Sequence, residues 1–385
     1  MQRILPLVYL YGIIIWCIVI VISIKYPFYN WDIIGYVGSV LSIDIKDNIA
    51  LHATSYKVLN NQMPEPSFDR LIIGNYAQNV YSNHNVFVEQ LNFYQIKTLY
   101  IYLLYTLQLT GLTIIDSITL VSLSATLLAT GITLLWINRY TNPHIAFILT
   151  LLICFQSRLF DLSRIATPDA LSVSIILLGL YYLLEKKKIK SACIIISIST
   201  LVRPDNIIFA SLFFLLVAGI SYSKEKKQNF IFSVSILSLS ILSYFYFKSI
   251  NNGYSWWTLF YHSFIEKLYF PSQLDIGFSL PLYAEVLRKQ AGMLFAPGIS
   301  SPSTILVFIF MLIVAALSSQ KNGARESAKY YKGVWVIIGT TYLTYFLLFP
   351  GIDQWDRFFA GYYIFTVISL LSVSDLVIGC LKNNT

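Results

Sequence analysis

The chain has 385 residues, of which 56% are hydrophobic and only 12% charged, with a formal net charge of +8. Soluble domains carry roughly a quarter charged residues, and a chain of this length has no interior large enough to hide so much apolar surface, so an ordinary soluble protein is excluded. The positive balance does not call for a nucleic-acid partner, because the cations are not spread over a face. They sit in short clusters at the ends of apolar runs, the positive-inside pattern of cytoplasmic loops.

In chain order, Arg3 precedes an apolar run from Leu7 to Ile24. No small-x-small cleavage site follows, so the run reads as an uncleaved first span. Residues 25–96 form the longest polar stretch, a first periplasmic loop with a weakly amphipathic piece from Ile33 to Ile43 and a turn at Met63-Pro64-Glu65-Pro66. A loop of this length and aromatic content is usually functional. Apolar runs follow at 97–112, 114–138, 144–157, 170–184, 190–202, 205–220, 229–247, 303–318, 333–350 and 358–377, interrupted by a second periplasmic loop at 248–302 that holds Trp256 and Trp257. The expected fold is therefore all-α, a single polytopic transmembrane helical bundle of about 10–11 spans, since a span needs about 20 mostly apolar residues, with the long outer loop after the first span carrying amphipathic juxtamembrane helices. Runs shorter than that point to tilted, broken or re-entrant helices around a polar cavity.

Placing the clusters around Lys186–Lys190, Lys224–Lys227 and Lys321–Lys332 inside, with Arg3, Arg139 and Lys382, gives that side 14 basic and 3 acidic residues. The other side has 13 basic and 14 acidic. Eleven full crossings would strand the C-terminus outside, so either 97–112 does not cross fully, the preferred reading, or another short run is re-entrant. Cys17, Cys154, Cys193 and Cys380 show neither CxxC nor Cys/His spacing and suggest no disulfide or metal framework.

On this topology five polar groups gather on the outer face: Asn30-Trp31-Asp32 after the first span, Arg158 to Asp169 before a later one, Arg203-Pro204-Asp205 between two short runs, Asp353 to Arg357 opening the last, and Gln95-Ile96-Lys97. Boundary charges are costly unless paired or wetted, which makes them functional candidates. Each also has a plain structural reading: Asp169 as a helix-start residue after Pro168, Arg203-Pro204-Asp205 as a capped turn, Lys97 as a snorkelling anchor. The chemistry they fit is transfer from a lipid phosphate, with cations holding the phosphate and a carboxylate taking a proton from the incoming hydroxyl.

The layout resembles the C-type glycosyltransferase superfamily, to which protein O-mannosyltransferases and lipid A aminoarabinose transferases belong. The resemblance rests on Asp32 early in the first outer loop, Arg164 spaced from Asp169 before a span, Arg203-Pro204-Asp205, and Arg357 opening the last helix. It implies a sugar moved from a polyprenyl-phosphate donor to a cell-surface glycan or lipid acceptor, by an inverting displacement. In that scheme Asp32 is the catalytic base. Lys97, Arg203 and Arg357 hold the donor phosphate, and Arg164, Asp169, His52 and Tyr94 contact substrate. A divalent metal, magnesium or manganese, would fall to Asp32 and Asp169. The familiar members often carry paired acids where Asp32 stands alone, and they are longer. The abundance of Ile and Lys points to an AT-rich bacterial genome, hence the bacterial inner membrane with the site facing the periplasm. Two other functions share the many spans: a polysaccharide polymerase or ligase, for which only 248–302 with Arg288 would serve as the arginine-bearing loop, and a transporter or flippase of lipid-linked glycans. Transporters bind at the midplane between repeated halves, whereas here the charges lie at one face.

Overall fold

The computed structural model describes the backbone of residues 5–222, 227–293 and 326–382, and the side chains of 6–222, 227–293 and 330–372. The apolar run 303–318 lies outside the described residues, as do Arg3, Lys224, Lys226, Lys321 and Arg325 and the side chains of Lys329, Asp375, Cys380 and Lys382.

Among the described residues there are eighteen α-helices and no strand. They are α1 (Leu5–Lys25), α2 (Asp32–Leu41), α3 (Asn48–Gln62), α4 (Glu65–Leu71), α5 (Asn75–Ser82), α6 (His84–Gln95), α7 (Thr98–Leu109), α8 (Ile114–Ile137), α9 (Pro143–Gln156), α10 (Leu159–Leu162), α11 (Asp169–Leu184), α12 (Ile189–Val202), α13 (Ile207–Ser221), α14 (Lys227–Ile250), α15 (Trp256–Phe264), α16 (Leu280–Met293), α17 (Glu326–Leu348) and α18 (Trp355–Lys382). Helix starts follow ordinary capping chemistry. Thr113 accepts from the Asp116 amide at the head of α8, and Asn142 accepts from the Ile145 amide ahead of Pro143 in α9.

Four helical stretches, Pro6–Lys25, Ile114–Ile137, Pro204–Ser221 and Lys227–Ile250, are long and apolar enough to cross a membrane. Their outward faces are compatible with lipid. On α14 the buried residues are Ser233 and Ser240, whereas Leu239, Leu242 and Phe245 are exposed. A helix on a water-facing surface does the reverse. Ser240 meets Ser197 of α12 at 2.9 Å, a polar contact of the kind that joins helices where apolar burial gives no drive. Thr126, Thr133, Thr150, Thr341 and Thr366 each donate to a carbonyl four residues back, so their hydroxyls stay satisfied inside apolar surroundings. α7 has only 12 residues, a rise of about 18 Å against a hydrocarbon core of about 30 Å, and α9, α11 and α12, of 14 to 16 residues, are also shorter than a full span.

The segment 25–96 is not a loop in the ordinary sense. It folds into five short helices, α2 to α6, with a core of its own in which Tyr36, Val40, Leu59, Phe87 and Leu91 are buried together with Tyr100 of α7 and Ile118 of α8. α2, expected to be weakly amphipathic, is buried on every side from Ile33 to Leu41. It packs against α6 so closely that an added Cβ on Gly35 would stand 2.2 Å from the Tyr94 ring. Gly35→Ala is therefore expected to cost about 1–3 kcal/mol by overpacking and to push Tyr94 away from α2. A drop in the thermal midpoint in detergent checks this, and an unchanged midpoint would show slack between the two helices.

Candidate functional site

The turn that follows α1, the α10 segment that precedes α11, the N-terminal end of α18 and the Arg203 turn between α12 and α13 meet around a cavity of about 1770 Å³. Ordinary ligand pockets hold about 300–1,000 Å³, so this chamber has room for a large substrate or for two. Seven cationic and five acidic side chains line it. A different polar knot sits at the other end of α11. Glu185, just past the last residue of that helix, pairs with Arg139 at 2.9 Å and accepts from Trp136 Nε1 (2.9 Å) and the Tyr331 hydroxyl (2.8 Å). With 16 residues in α11, the two polar centres lie about 24 Å apart.

Asp32 opens α2 at the chamber wall. Its Oδ1 accepts from the Tyr94 hydroxyl at 3.2 Å, and its Oδ2 accepts from Asn30 Nδ2 at 2.7 Å and Arg357 Nη1 at 3.2 Å. Arg203 interrupts the α12–α13 pair because Pro204 cannot continue the first helix's hydrogen bonds. Its guanidinium forks onto Asp205 (2.5 and 3.2 Å) and reaches Asp169 Oδ1 at 2.5 Å. Arg357 Nε stands 3.6 Å from Asp169 Oδ2, close enough for charge pairing and too long for a hydrogen bond. Both guanidiniums flank the ring of Phe358, at 4.1 and 4.9 Å from its centroid. Lys97 lies between α6 and α7, donates to the Tyr36 hydroxyl at 2.8 Å and sits over the rings of Tyr36 and Tyr94. Among the described residues no carboxylate stands within ion-pair distance of it. Burial pushes its ammonium down to about 8, against the opposing pull of Asp32.

Seven of the eight residues named from sequence therefore gather at the chamber: Asp32, Tyr94, Lys97, Arg164, Asp169, Arg203 and Arg357. Asp169 takes part from behind. It is 3% exposed and holds the two arginines rather than facing the cavity. Arg164 lines the chamber, paired with Asp161 at 3.4 Å and donating to the Tyr26 carbonyl, and its own carbonyl accepts from the Phe28 amide. It ties the end of α1 to α10. His52 is not brought to the cavity. It packs edge-on against Tyr56 and Phe87 inside the small-helix core, where burial lowers its pKa. Trp256 lines the cavity and Trp257 does not; its indole donates to the Gly277 carbonyl.

Among the described residues no group of three or more His, Cys, Asp or Glu side chains gathers to hold a metal. The pair proposed for one, Asp32 and Asp169, has the Arg357 guanidinium standing between its carboxylates. That position is already filled by a cation, so these two residues do not fit a shared metal and no step is routed through one.

The sequence reading missed Tyr36 and Phe358, which hold Lys97 and the two arginines. Tyr36 lies one helical turn past Asp32 and Phe358 directly follows Arg357, so spacing from the named charges would have found them. It also missed Arg158 as a strained residue: its φ of 56° is left-handed, uncommon for a side chain of this kind. Arg158 turns the chain from α9 into α10 and reaches Asp356 at 3.6 Å. Comparison of the chain with protein-family models, with curated proteins and with solved structures yields no match.

Proposed function

We propose that this chain is a polytopic membrane glycosyltransferase that moves a sugar from a polyprenyl-phosphate donor to a glycan or lipid acceptor on the non-cytoplasmic face of a bacterial inner membrane. The observation that carries the reading is the convergence of one partly exposed carboxylate, Asp32, with Lys97, Arg203 and Arg357 in a single large chamber. The helix ends that form it lie away from the basic clusters at 186–190 and 227, which supports an outward-facing site by the positive-inside rule. Ile207, Ile208, Phe247 and Phe349 make an apolar wall of the same cavity between α13, α14 and α17. That wall suits a lipid chain, while the cations next to it suit its phosphate.

In the proposed step the acceptor hydroxyl attacks the anomeric carbon of the donor sugar and gives its proton to Asp32. The new glycosidic C–O bond forms as the bond from that carbon to the phosphate oxygen breaks, and its electron pair leaves on the polyprenyl phosphate. Arg203 and Arg357, held in fixed orientation by Asp169 and Phe358, stabilise that charge, as positioned cations do for departing phosphates. Lys97 adds an ammonium with no carboxylate within ion-pair distance among the described residues.

Proteoliposomes supplied with radiolabelled polyprenyl-phosphate sugars and a membrane glycolipid extract test the reading. The wild-type chain is expected to consume at least one donor and label the extract. Donor affinity should weaken as pH rises through about 8, because the Lys97 ammonium is charged below its pKa and neutral above it. Lys97→Met should weaken binding and flatten that dependence. Movement of a lipid-linked glycan between leaflets, with no donor consumed, would replace transfer by transport.

A further inference from the structure

We infer that the part of the chamber beyond Asp32, away from the arginines, is an acceptor subsite for an uncharged sugar ring, presented by Gln90, Tyr76, Asn30 and the aromatic frame of Trp31, Phe93 and His262. The inference rests on the glycosyl-transfer reading and names the acceptor of that reaction as a carbohydrate.

The last two turns of α6 lay the site out in order. Tyr94, bonded to Asp32, shares a helix face with Gln90 one turn earlier, about 5.4 Å along the axis, and Lys97 follows three residues after Tyr94. Gln90 and Tyr94, the contact to the base, therefore share one helix, and the phosphate-side cation Lys97 follows just past its end. With Arg357 bound to Asp32 on the phosphate side, the Gln90 side is where the acceptor hydroxyl is placed.

Around Gln90 the wall changes character. Tyr76 lies 6.1 Å from Trp31 and 5.6 Å from His262, and His262 lies 4.8 Å from Phe93, so four rings form a connected wall. His262 Nδ1 accepts from the Leu268 amide at 3.0 Å, and burial pushes its pKa down to about 4, which leaves it neutral. Its charged neighbour on the cavity wall is Lys267. Within this frame Gln90, only 6% exposed, faces the Tyr76 hydroxyl; neither its amide nitrogen nor that hydroxyl completes a hydrogen bond of ordinary geometry, and Asn30 Oδ1 is buried without a partner. Buried polar atoms are nearly always paired; a loosely matched Gln90–Tyr76 pair and an open Asn30 oxygen on one cavity wall mark where a ligand's polar atoms belong. A neutral donor, a hydroxyl and an amide oxygen set among rings match a pyranose, which offers hydroxyls at its edge and C–H groups on its faces. An anion would have met the arginines, and an acyl chain would leave the amide and hydroxyl unpaired.

The test is saturation-transfer NMR on the full chain in detergent micelles, with methyl pyranosides of glucose, galactose, mannose and N-acetylglucosamine as probes. At least one is expected to bind wild type. Losing one such hydrogen bond typically weakens binding about tenfold, and that loss is expected for Gln90→Leu, with a smaller one for the conservative Tyr76→Phe. Binding of sugar-free polyprenyl phosphate serves as the folding control and should stay within about twofold in both variants, since neither residue faces the arginines. No pyranoside binding to wild type, or equal binding by wild type and both variants, overturns the inference. If pyranosides bind in this pattern and polyprenyl phosphate does not bind wild type, the ring site stands and the lipid-phosphate reading falls.

Discussion

Asp32→Asn is expected to lower the turnover of sugar transfer by about 10²–10⁴, the usual loss when a positioned general base is removed. That range corresponds to about 3–5.5 kcal/mol in the activation barrier. The asparagine has the same shape and still offers one oxygen, which can accept from Tyr94 or Arg357 in place of the carboxylate oxygens at 3.2 Å. Asp32 is 23% exposed on its side chain and lies at the chamber wall rather than in either core, so the fold should survive. The signature is a split: turnover collapses while donor KM changes little, as when an interaction made only in the transition state is removed. The check is single-turnover transfer in proteoliposomes at saturating donor, beside donor binding measured separately. Full turnover in the variant would remove Asp32 from the chemistry and leave the chamber as a binding site only.

Much of the site was legible in the sequence because charges at the ends of apolar runs are rare and expensive. Lys97, Arg203 and Arg357 stand out for that reason in a chain that is 12% charged, and the structure brings them to one cavity. Four of the expected spans are equally plain, since length and apolarity alone decide whether a helix fits a bilayer. The small-helix layer from α2 to α6 was legible only as an outer loop carrying amphipathic helices, not as five helices with a core of their own. Its helices run from 7 to 15 residues with mixed composition, too short for a stable periodic signal, and α2 is buried all round, so it has no polar face to betray its helical period. Rings carried no signal either. With 28 tyrosines and 26 phenylalanines in the chain, nothing in the sequence separates Tyr36 and Phe358 from the others until their cations are in view. The role of Asp169 was hidden by a different cause. The sequence places it next to Arg203 only by topology, and which of two neighbouring charges faces the substrate depends on packing depth, not on order along the chain.

That depth sets the expected result at Asp169. Its side chain is 3% exposed, and it holds Arg203 at 2.5 Å and Arg357 at 3.6 Å, whose side chains are 9% and 24% exposed. Asp169→Leu keeps the volume close and removes the shared carboxylate. Arg203 then keeps Asp205 and Arg357 keeps Asp32, yet Arg203 Nη1 loses its hydrogen-bond acceptor inside the protein. Removing one partner of a buried pair typically costs 3–5 kcal/mol, because the charge left behind is desolvated without compensation. The lower end, about 3 kcal/mol, is expected here: each arginine retains a second acid, and Arg357 reaches water. Asp169→Asn keeps an oxygen for Nη1 and loses only the charge, so it should cost less, about 1–3 kcal/mol. Thermal unfolding of the three forms in the same detergent gives the ranking wild type, Asn, Leu from most to least stable. If the leucine variant matched or exceeded wild type, the carboxylate would be dispensable to stability and a buried apolar residue would serve the arginines as well. The first alternative to weigh would then be that Asp169 is retained for where it points the two guanidiniums, which donor affinity in the same variant would read directly.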